Sequence, residues 1–402
     1  MSTISERSAG REAVIVDTAR TPIGKRKGAL AGWHPTDLLG FLLRELIERN
    51  DLDPALVDDV VGGCVTQVGE QGCNVTRNAW VAAGLPWQVA ATSVDRQCGS
   101  SQQAAHFVAQ GVLAGAYDVA IACGVESMTR APMASNARGG VGPFSPAFLD
   151  HTDHTLGIQF WVAQVLADKW GISRDDMDAF ALESQRRASE NTDSGWFADE
   201  VIPVPIHDEH GHETGEVLAT DEGIRPQSTL DGLAALAPVW ESEEQPAPDI
   251  TAGNSSQMSD GAAAMIVADR DTAERLGLPI RARFVDFAVG ADDPVLVLSA
   301  PNPVTRKLLE RSGMKIDDFD AMECNEAFAS IPLMWAREFA PDPERYNPRG
   351  GAIALGHPLG ATGVRIMTTL LHQLESTGGR YGFQTMCEGG GQANATVIER
   401  LG

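Results

Sequence analysis

A short strand-like run from Ala91 to Val94 leads directly into Asp95-Arg-Gln-Cys98-Gly-Ser-Ser101. Small apolar residues with helical spacing follow to Ala114, and Asp118 to Cys123 then reads as a buried strand. Strand, turn, helix, strand is the βαβ unit, which predicts a mostly parallel sheet covered by helices. The β-branched runs Ala13–Ala19 and Asp59–Val65, separated by a helix-like segment from Asp37 to Asn50, extend the plan toward the N-terminus. The last third repeats it. Phe319 to Asn325 is strand-like, Gly356-His357-Pro358-Leu-Gly360-Ala-Thr-Gly363 precedes a helical run to about Glu375, and Tyr381 to Met386 is again a strand. In both parts a reactive side chain sits at a glycine-rich helix entrance, which predicts an internal duplication.

The middle differs. Pro-, Gly- and His-rich turns and two amphipathic segments, Gln159–Trp170 and Asp175–Asn191, occupy the stretch from about Met128 to Asp249. Glu243 to Asp249 reads as a connection back, and Thr251 to Ala268 resumes the small apolar character of the first region. The expected organisation is an N-terminal half over 1–127, an inserted loop domain over 128–249, a return of the first half over 250–278, and a C-terminal half over 279–402.

Composition narrows the function classes. With 31 Lys and Arg against 55 Asp and Glu, the formal charge of -24 repels polyanions and argues against nucleic-acid binding. No apolar run approaches the roughly 20 residues that cross a bilayer. The stretch from Met1 to Arg20 has no apolar core before a cleavage site and reads as no signal peptide. Six scattered cysteines without a CxxC pair suit a reducing cytoplasm.

Cys98 taken alone is a small core residue, but a cysteine between a strand and a helix entrance faces free N–H groups and a dipole that favour a thiolate. A nucleophilic cysteine needs a base, and His357, in its fixed glycine- and proline-rich turn, is the candidate. Cys387 precedes three glycines, whose backbone N–H groups can turn toward a site. Asn325 reads as a strand-end residue or a site residue. The run His207-Asp-Glu-His210-Gly-His212 has metal-compatible spacing, yet its charged and glycine neighbours read as a hairpin, and no metal site is expected.

Together these segments resemble the thiolase family, the acetyl-CoA acyltransferases. Asp95 to Ser101 looks like its nucleophile segment, and Thr251 to Ala264 looks like its pantetheine-contacting loop. Asn325-Glu-Ala-Phe-Ala329, Gly350 to Gly363 and Cys387-Glu-Gly-Gly-Gly391 look like its three remaining blocks. The resemblance implies a duplicated five-layer αβαβα core with an inserted loop domain, assembled as a homodimer or homotetramer. It implies coenzyme A as co-substrate, acyl-CoA substrates, and no permanently bound cofactor. It also implies roles: Cys98 as nucleophile, His357 as its base, and Cys387 as the acid and base for the released enolate and the incoming thiol. One oxyanion would be held by His357 with a water on Asn325, the other by the N–H groups of Cys98 and Gly389. Arg225 matches a basic residue at the nucleotide end of CoA, and Ser256 matches a pantetheine contact.

Several segments depart from the biosynthetic members. Thr155 to Phe160 lacks a His-Met-Gly stretch, Tyr346-Asn-Pro-Arg349 replaces the usual lead-in to His357, and Glu388 follows Cys387. Ile23 to Gly28, Gly62 to Gln71 and Glu183 to Arg187 look like the actinobacterial thiolases of steroid side-chain breakdown. The expectation is a degradative 3-ketoacyl-CoA thiolase acting on a steroid or other bulky acyl chain. The alternatives are a biosynthetic acetoacetyl-CoA thiolase and a non-catalytic CoA- or lipid-binding relative.

Overall fold

The computed structural model describes residues 8–241 and 248–402. The start of the Met1–Arg20 stretch and most of the expected connection at Glu243–Asp249 lie outside the described residues. The N-terminal half contributes β1 (Ala13–Arg20), β2 (Gly24–Lys25), α1 (Pro35–Arg49), β3 (Asp59–Gly63), α2 (Val75–Ala82), β4 (Ala90–Val94), α3 (Ser100–Leu113) and β5 (Val119–Ser127). An excursion follows, with α4 (Gln159–Trp170), α5 (Arg174–Asp193) and the hairpin β6 (Val204–His207) and β7 (Glu213–Leu218). The chain then returns as β8 (Ser259–Asp269). The C-terminal half carries β9 (Ala282–Ala291), α6 (Pro301–Ser312), β10 (Ala321–Cys324), α7 (Ser330–Phe339), α8 (Ala352–Leu355), α9 (Thr362–Thr377), β11 (Tyr381–Glu388) and β12 (Gln392–Arg400).

The duplication is visible in the strand order. The first half runs β4-β3-β5-β8-β1, and the second runs β10-β11-β12-β9, with Tyr346 bridged in parallel to Met322 where the first half has β4. Directions match as well: β3 is parallel to β4 and β5, and β10 is parallel to β11, while β8 and β12 are antiparallel to both neighbours. A short pairing of Val14–Ile15 with Ala282–Arg283 joins the halves edge to edge. The sheet is therefore mixed, not mostly parallel as expected. The reason is local for β12: the Gly389–Gly391 link is too short for a crossover and permits only an antiparallel neighbour.

Strand alternation builds the layers. On β8, Ala264, Ile266 and Ala268 pack with Leu38, Leu42 and Leu46 of α1, while Ala263, Met265 and Val267 pack with Val108 and Val112 of α3 and Val364 and Met367 of α9. Beyond the second half, Val304, Leu308 and Trp335 of α6 and α7 cover Phe383 and Val397. Helix, sheet, helix, sheet, helix gives five layers, with α3 and α9 in the middle. The fold is the duplicated α/β architecture that the resemblance implied.

The excursion is fastened by a buried ion cluster. Arg20 at the end of β1 meets Glu200 at 2.6 Å and grips Asp221 through both terminal nitrogens at 2.7 and 2.9 Å. Removing one partner would strand a buried charge, so the cluster fixes position more than it adds net stability.

The halves touch backbone to backbone where the His357 turn meets β3 and β5. A Cβ on Gly124 would lie 2.2 Å from the Gly360 carbonyl oxygen, and one on Gly63 would lie 2.7 Å from the same oxygen. Gly124→Ala is therefore expected to lower stability by about 1–3 kcal/mol through overpacking. A urea midpoint equal to that of the parent protein would show that this junction has slack.

Candidate active site

Cys98 ends the turn after β4, one residue before the N-cap Gly99 of α3. Gln97 takes a left-handed conformation (φ 49°), which folds the turn so that the Arg96 N–H donates to Ser100 Oγ at 3.0 Å. The cysteine is 5% exposed and packs with Val65, Met128, Leu359 and Met386. Cys98 and His357 line one cleft of about 470 Å³.

His357 follows α8 and Gly356, and its backbone N–H donates to the Gln257 carbonyl and to Ser259 Oγ. Its ring is placed from both sides. The Thr362 hydroxyl donates to the Pro358 carbonyl at 2.8 Å, so at 2.7 Å from His357 Nδ1 it accepts the ring proton. That leaves Nε2 unprotonated, an acceptor for Asn325 Nδ2 at 3.4 Å and the ring nitrogen able to act as a base. The Asn325 Oδ1 is buried without a hydrogen-bond partner among the described residues. An acceptor so placed can orient a donor in the site.

Cys387 is fully buried at the end of β11, and the Cys98 and Cys387 thiols are near enough for charge on one to oppose charge on the other. Burial, then Cys98, push the Cys387 thiol far above its usual value. Beyond Glu388, Gly390 and Gly391 take left-handed φ values of 80° and 75°, which turn the chain back, and the Gly389 N–H lies near enough to the Cys98 sulfur to favour its thiolate. The structure thus brings Cys98, His357, Asn325, Cys387 and Gly389 together from four separate segments.

Burial sets the resting charges. It pushes the Cys98 thiol up to about 12, helped by the Glu388 carboxylate and resisted by the N–H groups of Cys98 and Gly389. It also pulls His357 down to about 3, with the Arg365 charge adding to the effect. The resting pair is neutral thiol and neutral imidazole. The helix entrance alone suggested a standing thiolate, but desolvation outweighs the dipole here.

The cleft mouth carries the other expected residues. Arg225 is exposed there, and its backbone N–H donates to Gln185 Oε1 of α5 at 2.7 Å. Ser256 lines the wall, held by its N–H to the Ala327 carbonyl at 2.9 Å. Lys25 and Arg26 line the same cleft and were not singled out from sequence, although Lys25-Arg-Lys27 is a visible basic run. Arg349 turns away from the cleft: it bonds Gln373 and Asn191 and stacks on Trp196 at 4.4 Å, which holds the lead-in to His357. His207 stacks on Trp33, while His210 and His212 lie exposed in the β6–β7 turn beside Asp208 and Glu209.

Glu126 also escaped the sequence reading. Fully buried at the end of β5, it accepts from the Val65, Thr66 and Gly360 N–H groups and from Gln71 Nε2, all at 2.8–3.1 Å. It therefore ties the first half to the His357 turn. An isolated glutamate in a Cys-Gly-Val-Glu-Ser run carries no local signal of that role.

A buried thiol and imidazole in one cleft, with backbone N–H groups at the sulfur and a second thiol behind it, define a centre suited to thiol-based acyl transfer. Residues 13–271 match the thiolase N-terminal domain and residues 278–400 match the thiolase C-terminal domain. The chain belongs to the thiolase family. It is 45% identical to a steroid 3-ketoacyl-CoA thiolase of Mycobacterium tuberculosis, over 97% of this chain and 94% of that protein. It is 42% identical to a 3-ketoacyl-CoA thiolase of Aliivibrio fischeri and to a beta-ketoadipyl-CoA thiolase of Pseudomonas putida, each covering 97% of this chain and 100% of the relative.

Because the Cys98 thiol is held protonated, its alkylation by iodoacetamide in the free protein should keep rising past about pH 9, as the thiolate forms. A rate that levels off at neutral pH, followed by peptide mass spectrometry, would contradict the neutral pair.

Proposed function

We propose that the protein is a degradative 3-ketoacyl-CoA thiolase working through an acyl-Cys98 intermediate. The observation that carries this is the shared cleft of Cys98 and a His357 whose Nε2 is the unprotonated ring nitrogen. His357 Nε2 takes the Cys98 proton, and the sulfur attacks the 3-keto carbon. Collapse of that adduct breaks the Cα–Cβ bond, and the departing acetyl-CoA enolate takes the Cys387 proton. A CoA thiol then gives its proton to the Cys387 thiolate and attacks the Cys98 thioester. Cys98 leaves as thiolate and recovers its proton from His357. The N–H groups of Cys98 and Gly389 serve one oxyanion, and His357 with a water on Asn325 serves the other. Loss of one such donor costs about 3 kcal/mol of barrier.

Coenzyme A acts as co-substrate in this reading, with Ser256 along the pantetheine and Arg225, Lys25 and Arg26 giving the phosphates a positive patch on a protein of charge -24. The apolar wall of Met128, Met133, Phe160, Leu298, Phe328 and Leu359 favours a bulky acyl chain, steroid or fatty, over acetoacetyl-CoA. The return of β8 beside β1 and β5 supports the domain limits stated above. No helix among the described residues is long and apolar enough to cross a membrane, and a cytoplasmic site suits the free cysteines. A homodimer or homotetramer is part of the proposal, because edge strand β4 has no fully buried residue and the neighbouring Trp87 is 75% exposed.

Thiolysis rates across acetoacetyl-CoA, long-chain and steroid 3-ketoacyl-CoA substrates test the reading. The bulky substrates should give the higher kcat/KM, and Cys98→Ala should lose about three orders of magnitude or more. A marked preference for acetoacetyl-CoA defeats the substrate class, and unchanged turnover in Cys98→Ala defeats the mechanism.

A further inference from the structure

The mechanism leaves one buried acid at the reaction centre without a task. Glu388 lies between Cys387 and Gly389 in the chain, and its side chain turns to α3. A Cβ added to Gly99 would fall 1.8 Å from Glu388 Oε1, so the carboxyl sits directly on the backbone at the mouth of the Cys98 helix. The residue is 0% exposed, and neither carboxyl oxygen has a hydrogen-bond partner among the described residues. An ionised carboxylate left like this bears a severe desolvation cost, whereas a neutral acid does not.

We propose that Glu388 is a positioning residue of the Cys98 centre, present as a neutral carboxylic acid at the working pH, whose ionisation in alkali opposes negative charge on Cys98 and its oxyanion. The charged and titratable groups around it are few. Arg96, from the turn ahead of α3, favours ionisation, and burial outweighs it, holding the carboxyl well above the usual range. Arg96 spends Nη1 on Gln392 Oε1 at 2.9 Å, and its Nε is buried without a partner among the described residues. Cys98 and Cys387 would each be opposed by a charge on Glu388, and Glu126 of β5 acts on Cys98 as well. Asp95, on the same turn, is exposed and accepts from the Gln97 N–H. Strand β12 faces Glu388 with Gln392. When Glu388 ionises, its proton leaves to solvent and the new charge lies beside the helix entrance and the Gly389 N–H that hold the sulfur. The same two N–H groups serve the oxyanion in the mechanism above, on which this inference rests.

The test is the pH dependence of Cys98 alkylation and of kcat/KM in the parent protein, Glu388→Gln and Arg96→Gln. In Glu388→Gln the alkylation-detected titration of Cys98 should move down, and the alkaline fall in kcat/KM should move up, by about 1–3 pH units. Arg96→Gln, which keeps Glu388 but removes the cation favouring its ionisation, should also move the alkaline fall upward. It should do nothing further in the Glu388→Gln background. Profiles that superimpose on the parent in both single variants overturn the proposal, and Arg96→Gln decides it if Glu388→Gln does not fold. Alkylation needs no turnover, so an unshifted titration sinks this inference alone, whereas active Cys98→Ala sinks the reading beneath it.

Discussion

The approach of the His357 turn to the ends of β3 and β5 governs everything else in this protein. The Gly360 carbonyl lies where side chains on Gly63 or Gly124 would stand, and the Gly360 N–H is held by Glu126. No flexible side chain intervenes, so the contact has almost no adjustable length. It is what brings a cysteine from one half and a histidine from the other into the same cleft. Each half supplies a helix entrance, α3 and α9, and only their meeting makes a reactive pair.

That geometry explains why the pair rests uncharged. A buried junction between the two halves is a poor place for an isolated thiolate or imidazolium, and burial moves both groups toward neutrality. The thiolate then forms only as the proton passes to Nε2, when substrate and the N–H groups of Cys98 and Gly389 can share the charge. The Thr362 hydroxyl, by taking the Nδ1 proton, keeps the lone pair on the useful nitrogen. Helix α5 of the excursion supports the same machinery from outside. Its Arg187 holds the Tyr346 and Asn347 carbonyls, its Ser184 bonds Glu326, and its Gln185 fixes the Arg225 backbone.

Much of this was legible in the sequence, because the decisive signals are local. Cys98 stands at a strand-turn-helix transition and His357 in a glycine-rich turn ahead of α9, and α4 and α5 lie where the amphipathic spacing put them, to within two residues. What escaped depends on partners far away in the chain. The role of Glu126 comes from Val65, Thr66, Gln71 and Gly360 converging on it, and none of these marks it in sequence. Strand β12 was missed although Ala393, Ala395 and Val397 alternate with Asn394 and Thr396, because alanines signal a strand weakly and its polar face is buried too, bonded to Gly99 and the Gln102 and His106 side chains. The neutral resting state was hidden for the same reason, since burial is a property of the assembled junction.

The most direct measurement is to quench the protein with a bulky 3-ketoacyl-CoA in the absence of free CoA, digest it, and locate the added mass. The expected result is one shortened acyl group on the peptide carrying Cys98, with one equivalent of acetyl-CoA released. An adduct confined to another cysteine, such as the exposed Cys73, or acetyl-CoA release without any protein-bound acyl group, would contradict it.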